Sequence, residues 1–549
     1  MITDDIGLWA VCTLLALLMF YIVKTIDFSI RLHYRLGFAI PFILVLWFTA
    51  TAGFEISLMG IYTGSLILVF CFFLKDKKKM YRILLAGLVC IAITPVIALH
   101  YKDYRITHYT DEFQAGFESM KEHYILTDYK QIDFDALYAE YLPRFEAADD
   151  SRSFPQAYAA WTDFCLAFFD GHVYVTAGTS EEAIRLNRDT YYKSQVGADY
   201  GFSLVTLSDG RTVFANVEPN GEAYDLGIRN GLELTSFDGV DIQTAKAHTK
   251  PIPAVGDSGN VSFYQSLMVT ASGSSHADLT FIDARGTEQA ITVTGTSDNY
   301  NRYRQTLDLL QHNNEDTNLS YKMISDDTAL LSLNSMLVEG DITYEHAEAT
   351  NESYSGMKAL LQEQLQNMKE DGAHKLILDM RGNGGGYLDM IPVIASLFTD
   401  SEVFVASNAA YNEQTKRYEP VQTVYTSAEN IWGNGEIVIL VNSNTASAAE
   451  IFVHTMMQLP NVTVMGFTKT CGSAMMVSGM ELSNVNLYFS GGMTLDETGE
   501  VLIDADASRI SMMTPDIIIP FDEDAFHAVF ENGEDYVLDY AVSYLEHMH

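Results

Sequence analysis

Residues 376–386 read Leu-Ile-Leu-Asp-Met-Arg-Gly-Asn-Gly-Gly-Gly, an apolar run followed by a polar step and a glycine cluster. The apolar run is typical of a buried strand. Glycines let the following backbone approach a substrate closely and point N–H groups at an anion. The segment therefore predicts an oxyanion hole or a substrate-clamping loop at a strand end, with a simple turn as the alternative. It lacks the Lys-Ser/Thr ending of a phosphate-binding P-loop.

A second segment, residues 441–452, reads Val-Asn-Ser-Asn-Thr-Ala-Ser-Ala-Ala-Glu-Ile-Phe. The pattern predicts a strand end, then small residues, then the start of a helix with Ser447 near its N-terminus. An alkoxide or oxyanion at that place gains from the helix dipole and from free N–H groups. Ser447 is thus a candidate nucleophile, and a plain N-cap serine is the alternative.

A third segment, residues 170–173, reads Asp-Gly-His-Val. A serine nucleophile needs a base with a pKa near neutrality, and histidine is the usual one. His172 is therefore a candidate base, although a lone histidine is more often structural. The sequence does not show whether residues 172 and 447 meet in space.

The chain around these segments divides into several regions. Helical periodicity from about residue 111 to 170, with Asp133 as an N-cap and a third helix from about Phe154 to Phe169, predicts a helical lead-in at 105–196. Short strands between turn signals predict a β domain at 197–298. Alternating strand-like and helical stretches predict an α/β core at 299–549.

The first hundred residues contain four apolar stretches, each near the length of about 20 residues that a helix needs to cross a bilayer. The stretches are Leu8–Ile26, Leu36–Gly53, Ile56–Leu74 and Ile83–Leu99. Basic loops at 24–35 and 75–82 favour the cytoplasm by the positive-inside rule. The prediction is a multi-pass cell-membrane anchor at 1–104, embedded in the lipid bilayer, with the later residues outside the cytoplasm.

The charge is distributed unevenly along the chain. The net charge is −39, and residues beyond 100 hold 25 of the 33 basic and 67 of the 72 acidic residues. Such an acidic surface argues against nucleic acid as a partner, because phosphates would be repelled. Only two of the five cysteines, Cys165 and Cys471, lie beyond the apolar segments, which is not a disulfide framework. Two free buried thiols are expected, and a single bridge between these two residues is the alternative.

Taken together and in order, these segments resemble the tail-specific, C-terminal-processing serine proteases and their tricorn-like branch. The resemblance spans about residues 111–525 and includes a late Thr-Pro-Asp-Ile at 514–517. It implies a crotonase-like α/β protease core, an inserted PDZ-like domain and peptidase activity without a metal or other cofactor. By position it implies Ser447 as nucleophile, with an oxyanion hole from the N–H groups of Gly384, Gly385 and Ala448.

The resemblance leaves the base with two candidates. One branch of the family uses a lysine in a Gly-x-x-Thr-x-Gly-Lys segment, but residues 466–473 read Gly-Phe-Thr-Lys-Thr-Cys-Gly-Ser. Ser473 occupies that lysine position, and Lys469 lies nearby but out of register. The tricorn-like branch has a histidine where His172 stands, so His172 is preferred and Lys469 is the alternative.

The acidic member of the site is less well matched. The tricorn-like branch has a glutamate shortly before its Pro-Asp, and no glutamate stands there in this chain. Asp504 or Asp506 is the candidate orienting acid. Relatives often carry a serine before the histidine, where this chain has Gly171.

The predicted β domain resembles a PDZ domain. Its Tyr200-Gly201-Phe202-Ser203 matches the loop that binds a free carboxylate through backbone N–H groups. Such modules bind a chain terminus as an added strand. The sequence thus predicts a membrane-anchored serine peptidase acting on proteins or peptides with accessible C-termini. A catalytically inactive, membrane-bound binding module is the alternative.

Overall fold

The computed structural model describes residues 109–177, 198–249, 256–272, 275–296, 300–311, 318–337, 351–412, 414–415 and 417–548. The four predicted membrane helices fall within residues 1–104, outside this part of the chain. Among the described residues, no helix is both long and apolar enough to cross a bilayer. The longest of them, Asn351–Glu370, has 20 residues but is interrupted by charged and amide side chains.

The predicted fold class is therefore corrected. The structure supports an α/β protease-like fold, and the four transmembrane helices of the prediction do not belong to the fold that it shows. The placement of the catalytic part outside the cytoplasm stays a prediction, as do the domain boundaries.

The described chain begins with four helices packed around aromatic side chains. They are α1 (Tyr109–His123), α2 (Thr127–Lys130), α3 (Phe134–Ser151) and α4 (Phe154–Leu166). Phe113 stacks on Phe145 with ring centroids 4.2 Å apart. The predicted N-cap is confirmed, because the Asp133 side chain accepts the Ala136 N–H. Strand β1 (Tyr174–Ala177) follows, so the Asp-Gly-His turn lies between α4 and β1.

An inserted β module, residues 198–296, comes next. Its elements are β2 (Ser203–Thr206), β3 (Thr212–Ala215), α5 (Glu222–Asp225), β4 (Leu234–Phe237), β5 (Val240–Asp241), α6 (Ile242–Ala247), α7 (Ser258–Gln265), the 3-10 helix Ser266–Ser272, β6 (His276–Ile282) and β7 (Glu288–Thr294). The strands form a β2–β3 hairpin and a sheet in the order β5-β4-β6-β7. The module has its own apolar cluster, which includes Phe202, Phe214 and Phe281.

The remaining elements build the α/β core. They are α8 (Tyr300–Gln311), β8 (Leu319–Met323), β9 (Thr328–Leu333), α9 (Asn351–Glu370), β10 (Lys375–Asp379), α10 (Met390–Ala395), β11 (Phe404–Asn412), β12 (Arg417–Tyr425), β13 (Glu436–Leu440), α11 (Ala448–Met456), β14 (Val462–Gly466), β15 (Met476–Glu481), β16 (Val485–Leu495), β17 (Ile517–Ile518), α12 (Glu523–His527), a π-helical turn (Ala528–Asn532) and α13 (Tyr536–His547).

The central sheet has the order β17-β14-β13-β10-β9-β8, and all pairs are parallel except β8 with β9. Side chains of β10 alternate between two apolar clusters: Leu376 and Leu378 face one, and Ile377 faces the other, next to α13. Because β10 and β13 are parallel neighbours, their carboxyl ends lie at the same edge. The glycine loop at 382–386 and the turn at Ser447 therefore start side by side.

A second sheet brings the helical lead-in to this edge. Its order is β1-β16-β11-β12, with β15 also paired to β16. Strand β1 pairs with β16 from Tyr174↔Tyr488 to Ala177↔Val485. Since His172 lies only two residues before the first residue of β1, this pairing fixes the histidine turn against the core.

Candidate active site

Ser447 lies at a sharp turn between β13 and α11. Its backbone has φ 59° and ψ −130°, a conformation that residues other than glycine rarely adopt. Its N–H donates to the Ser473 carbonyl oxygen at 2.9 Å and to Oε2 of Glu450 at 3.1 Å. A serine on a strained strand-to-helix turn resembles the nucleophile elbow of other hydrolases, in which the turn exposes the serine oxygen.

The glycine loop lies directly on this turn. A Cβ atom at Gly385, where φ is +93°, would be 2.7 Å from the Ser447 Cβ and 2.9 Å from the Ala448 nitrogen. Only glycine permits this approach. The contact places the loop next to the serine, as the sequence predicted from its glycines.

The N–H groups of the loop are not equally available. The Gly385 N–H donates to Oδ1 of Asn383 at 2.9 Å, so it is already paired within the loop. The N–H groups of Gly384 and Ala448 make no hydrogen bond to any described residue. Of the three predicted oxyanion donors, the N–H groups of Gly384 and Ala448 are thus available in this structure. The role of Gly385 is to let the loop backbone lie close to Ser447.

Ser473 connects the serine turn to the histidine turn. Its carbonyl oxygen accepts the Ser447 N–H at 2.9 Å, and its hydroxyl oxygen accepts the Gly171 N–H at 2.7 Å. A Cβ atom at Gly171 would be 3.2 Å from that hydroxyl oxygen and 2.8 Å from Sγ of Cys471. The residue before His172 must therefore be small, and one residue sets the spacing of the two turns.

Glu450, three residues after Ser447, holds the loop that carries Ser473. The carboxyl group is fully buried and accepts the N–H groups of Gly472 at 2.7 Å, Ser473 at 3.0 Å and Ser447 at 3.1 Å. Burial raises the pKa of Glu450, although these hydrogen bonds oppose the rise. The side chain is a structural clamp beneath the serine.

His172 is buried, and its Nδ1 has no hydrogen-bond partner among the described residues. Burial lowers the pKa of the imidazole, while the Asp170 carboxylate opposes this and the Lys130 ammonium adds to it. The neutral imidazole is therefore favoured near neutral pH, which is the form that a general base requires.

Asp170 is the acidic neighbour that the sequence reasoning missed. Its Oδ1 accepts the His172 N–H at 2.9 Å, and its Oδ2 accepts the hydroxyl groups of Tyr124 at 3.0 Å and Ser490 at 2.8 Å. Burial alone would raise the pKa of Asp170, but the charge of Lys130, the histidine and these hydrogen bonds hold it below its usual range. The signal was present in the Asp-Gly-His motif itself, two residues before the histidine.

Neither predicted orienting acid is hydrogen-bonded to His172. Oδ2 of the buried Asp504 accepts the Ala474 N–H at 2.7 Å. Burial and the nearby Asp170 raise the pKa of Asp504 well above its ordinary value. Asp506 instead accepts the N–H groups of Ser508 at 2.8 Å and Ile510 at 3.1 Å, which stabilises the loop around it.

The alternative base, Lys469, is engaged elsewhere. Its Nζ lies 3.2 Å from Oδ2 of Asp257 at the start of α7. Asp257 is almost fully buried and also accepts the N–H groups of Gly259 and Ser511. The structure thus uses Lys469 to fasten the inserted module to the core.

The predicted carboxylate-binding loop is closed in this structure. Tyr200 and Phe202 are buried in the core of the module, and the Ser203 hydroxyl is 2.7 Å from that of Thr306. The Gly201 N–H donates to Oδ1 of Asp199 at 2.8 Å, and Nε of Arg302 binds the same oxygen at 2.7 Å. The carboxylate of Asp199 therefore already accepts the hydrogen bond of one N–H group that was expected to bind a chain terminus.

Both cysteines beyond the apolar segments, Cys165 and Cys471, are buried and free. Burial raises the pKa of both thiols above the ordinary value. The expectation of free thiols is confirmed.

Part of the chain matches a known peptidase family. Residues 328–519 match the model of peptidase family S41, and this segment holds the glycine loop, Ser447, Ser473 and Asp504 but not His172. A probable CtpA-like serine protease of Staphylococcus aureus (strain N315) is 32% identical over 118 residues, which are 22% of this chain and 23% of that protein. Its counterpart in Staphylococcus haemolyticus (strain JCSC1435) is 29% identical over 120 residues, again 22% and 23%.

The chain thus matches under a quarter of the length of these curated relatives. Among solved structures, mature CPAF complexed with lactacystin aligns with a TM-score of 0.52 and 14% identity, covering 80% of this chain and 99% of that one. Mature CPAF alone gives 0.51 and 14%, with 80% and 98% covered. The structural likeness supports the protease-like α/β fold, and the S41 match supports the predicted serine peptidase.

Proposed function

We propose that this protein hydrolyses peptide bonds as a serine peptidase of the C-terminal-processing kind. The observation that carries the proposal is the double contact of Ser473, which joins the turn of Ser447 to the turn of His172. A nucleophile on a strained turn, a buried histidine with a lowered pKa and two available N–H donors are the parts that acyl transfer requires.

In this mechanism the Ser447 oxygen attacks the scissile carbonyl carbon while His172 takes the hydroxyl proton. The negative oxygen of the tetrahedral intermediate accepts hydrogen bonds from the N–H groups of Ala448 and Gly384. His172 then gives its proton to the leaving amine, and an acyl-enzyme remains on Ser447. Water, deprotonated by His172, releases the new carboxyl group and restores the serine.

The negative charge of Asp170 supports the proton transfer. When His172 becomes an imidazolium, the carboxylate that accepts its backbone N–H lies close enough to stabilise the charge. Asp170 contacts the main chain of the histidine rather than its ring. It is therefore a positioning and electrostatic residue rather than a member of a hydrogen-bonded triad.

For substrates, the proposal is proteins or peptides with accessible C-terminal tails, held by the inserted module in the manner of a PDZ domain. A tail carboxylate would replace Asp199 as the acceptor of the Gly201 N–H. Strand addition of this kind raises the local concentration of the tail at the site. A fluorescent peptide should then bind more tightly with a free C-terminus than with an amidated one, and equal binding would contradict tail capture.

The test of the peptidase proposal is labelling of the full-length protein by a fluorophosphonate probe, with the modified peptide located by mass spectrometry. Labelling of Ser447 in the wild type, its loss in Ser447→Ala and His172→Gln, and its retention in Lys469→Met are expected. Loss in Lys469→Met with retention in His172→Gln would move the base to the lysine. A folded wild type that is not labelled but binds peptide tails would support the inactive binding module instead.

A further inference from the structure

Lys130 is a buried cation contributed to the site by the helical lead-in. It ends helix α2, lies 317 positions before Ser447 in the sequence, and only 7% of its surface is exposed. Burying an ammonium group is costly unless nearby groups compensate its charge.

The ammonium group joins two loops of the candidate site. Its Nζ donates to the carbonyl oxygen of Ala505 at 2.8 Å and to that of Phe169 at 3.2 Å. Phe169 directly precedes Asp170, and Ala505 directly follows Asp504. The Lys130 side chain therefore binds the backbone next to each of the two buried carboxyl groups, before Asp170 and after Asp504.

Adjacent residues of the same segment strengthen the connection. The Tyr129 hydroxyl donates to the carbonyl oxygen of Asp504 at 3.0 Å, and the Tyr124 hydroxyl donates to Asp170. The segment 124–130 thus forms a platform beneath the histidine turn.

Charged and titratable groups reach the surroundings of His172 from several elements. Asp170 lies on its own turn, Tyr124 and Lys130 come from the platform, Asp504 from the loop after β16, and Cys471 and Glu450 from the serine side. The guanidinium of Arg509 lies 3.7 Å above the Phe169 ring. Within this set, Lys130 is the cation whose charge acts on the histidine and on both aspartates.

We infer that Lys130 is a positioning residue for the reaction: its ammonium group holds the histidine turn and the Asp504 loop together and places a positive charge at the histidine turn. This inference rests on the proposed serine–histidine function. It adds a requirement that the S41-matching segment does not contain, namely a cation supplied from outside that segment by the lead-in helices.

The direction of the effect follows from the charges. Removing the positive charge of Lys130 favours protonation of His172, so the pKa of the imidazole rises. Asp170 keeps three hydrogen-bond donors, from Tyr124, Ser490 and the His172 N–H, so it remains ionised and continues to favour the imidazolium. When the rate of fluorophosphonate labelling is plotted against pH, the acidic limb, where the rate falls because His172 becomes protonated, is therefore expected to move to higher pH.

The experiment compares Lys130→Gln with Lys130→Arg in the full-length protein. Glutamine keeps an N–H donor for the two carbonyl groups but no charge, whereas arginine keeps the charge. The rate of fluorophosphonate labelling is measured from pH 5 to 9. For Lys130→Gln we expect the midpoint of the acidic limb to move to higher pH by about one unit, so that the rate at a given pH on that limb is about tenfold lower. For Lys130→Arg we expect the limb to stay where it is in the wild type.

Lys121→Gln is the matched control, because Lys121 lies on α1 in an exposed pair with Asp135. Its limb should not move. A limb that is unchanged or lowered in Lys130→Gln, or equally raised in Lys130→Arg, overturns the inference.

A second readout does not depend on activity. The titration of His172 is followed by NMR of 13C-histidine-labelled protein in the Ser447→Ala background, with His172→Gln used for assignment. A higher midpoint in Lys130→Gln supports the inference, and an equal midpoint contradicts it. If the wild type is not labelled at all, the proposed function fails, but the titration still tests the action of Lys130 on His172.

Discussion

The backbone N–H of Ser447 donates to Oε2 of Glu450 at 3.1 Å, which ties the candidate nucleophile to a fully buried carboxyl group three residues later. The same carboxyl group binds the N–H groups of Gly472 and Ser473. Position 450 therefore determines where the serine turn lies relative to the loop that contacts Gly171.

Glu450→Gln is expected to damage both folding and activity. Glutamine offers one acceptor oxygen and one NH2 group, so at least one of the three N–H donors would face another donor. An unsatisfied buried group of this kind costs about 2 kcal/mol of unfolding free energy. Urea unfolding and fluorophosphonate labelling measure the two effects. Glu363→Gln, at an exposed position of α9, is the control, and equal behaviour of the two variants would refute the clamp.

Gly385→Ala should abolish most of the labelling of Ser447. A Cβ atom there would lie 2.7 Å from the Ser447 Cβ, and the φ of +93° adds strain. Displacement of the serine by about 1 Å is expected to slow labelling on the order of 100-fold. Gly356→Ala is the control, because a Cβ atom at that exposed position of α9, outside the site, meets nothing within 4 Å. Comparable labelling rates in the two variants would contradict the contact.

The pH profile of the wild type should have its acidic limb below pH 6.5, because burial lowers the pKa of His172 from that ordinary value. Asp170→Asn should move the limb lower still, since the carboxylate that favours the imidazolium is gone. Its maximal rate should also fall by about tenfold, equivalent to one pKa unit of lost stabilisation. Tyr124→Phe keeps the carboxylate and should shift the limb much less. A limb that moves upward in Asp170→Asn would show that this carboxylate does not act on the histidine.

The core of the site was predictable because its signals are local. A strand that runs into glycines, and a serine before a helix, are written into short segments, and parallel pairing of β10 with β13 brings them to one edge. The N-cap at Asp133 was predictable for the same reason. The S41 match covers the region where these signals are concentrated.

The connections between the segments were not predictable. Ser473 contacts residues 302 and 26 positions away, and Lys130 reaches Ala505 across 375 positions, so no local pattern reveals either. Lys469 is another example. Its position in the sequence suggested a base, but its partner, Asp257, lies in the inserted module 212 positions earlier. Such contacts depend on how separate elements pack, which a single sequence does not display.

The variant Asp504→Asn distinguishes two possible roles of Asp504: a protonated carboxyl group with a structural role, or an ionised acid that orients the base. Burial and Asp170 raise the pKa of Asp504 well above 3.8, so the folded state keeps a proton that the unfolded state releases. Between pH 3.8 and the raised pKa, the wild type therefore loses unfolding free energy as the pH increases. Asparagine does not titrate, and its oxygen still accepts the Ala474 N–H.

The Asp504→Asn variant should therefore gain stability relative to the wild type between pH 4.5 and pH 8, measured by urea unfolding at both values, and should keep most of its labelling rate at pH 8. Asp506→Asn, which alters an acceptor in the more exposed loop, should show no such relative gain. If Asp504 is instead ionised and orients the base, the asparagine variant should lose labelling at both pH values and gain no relative stability at the higher one. That result would return Asp504 to the catalytic role that the family resemblance suggested for it.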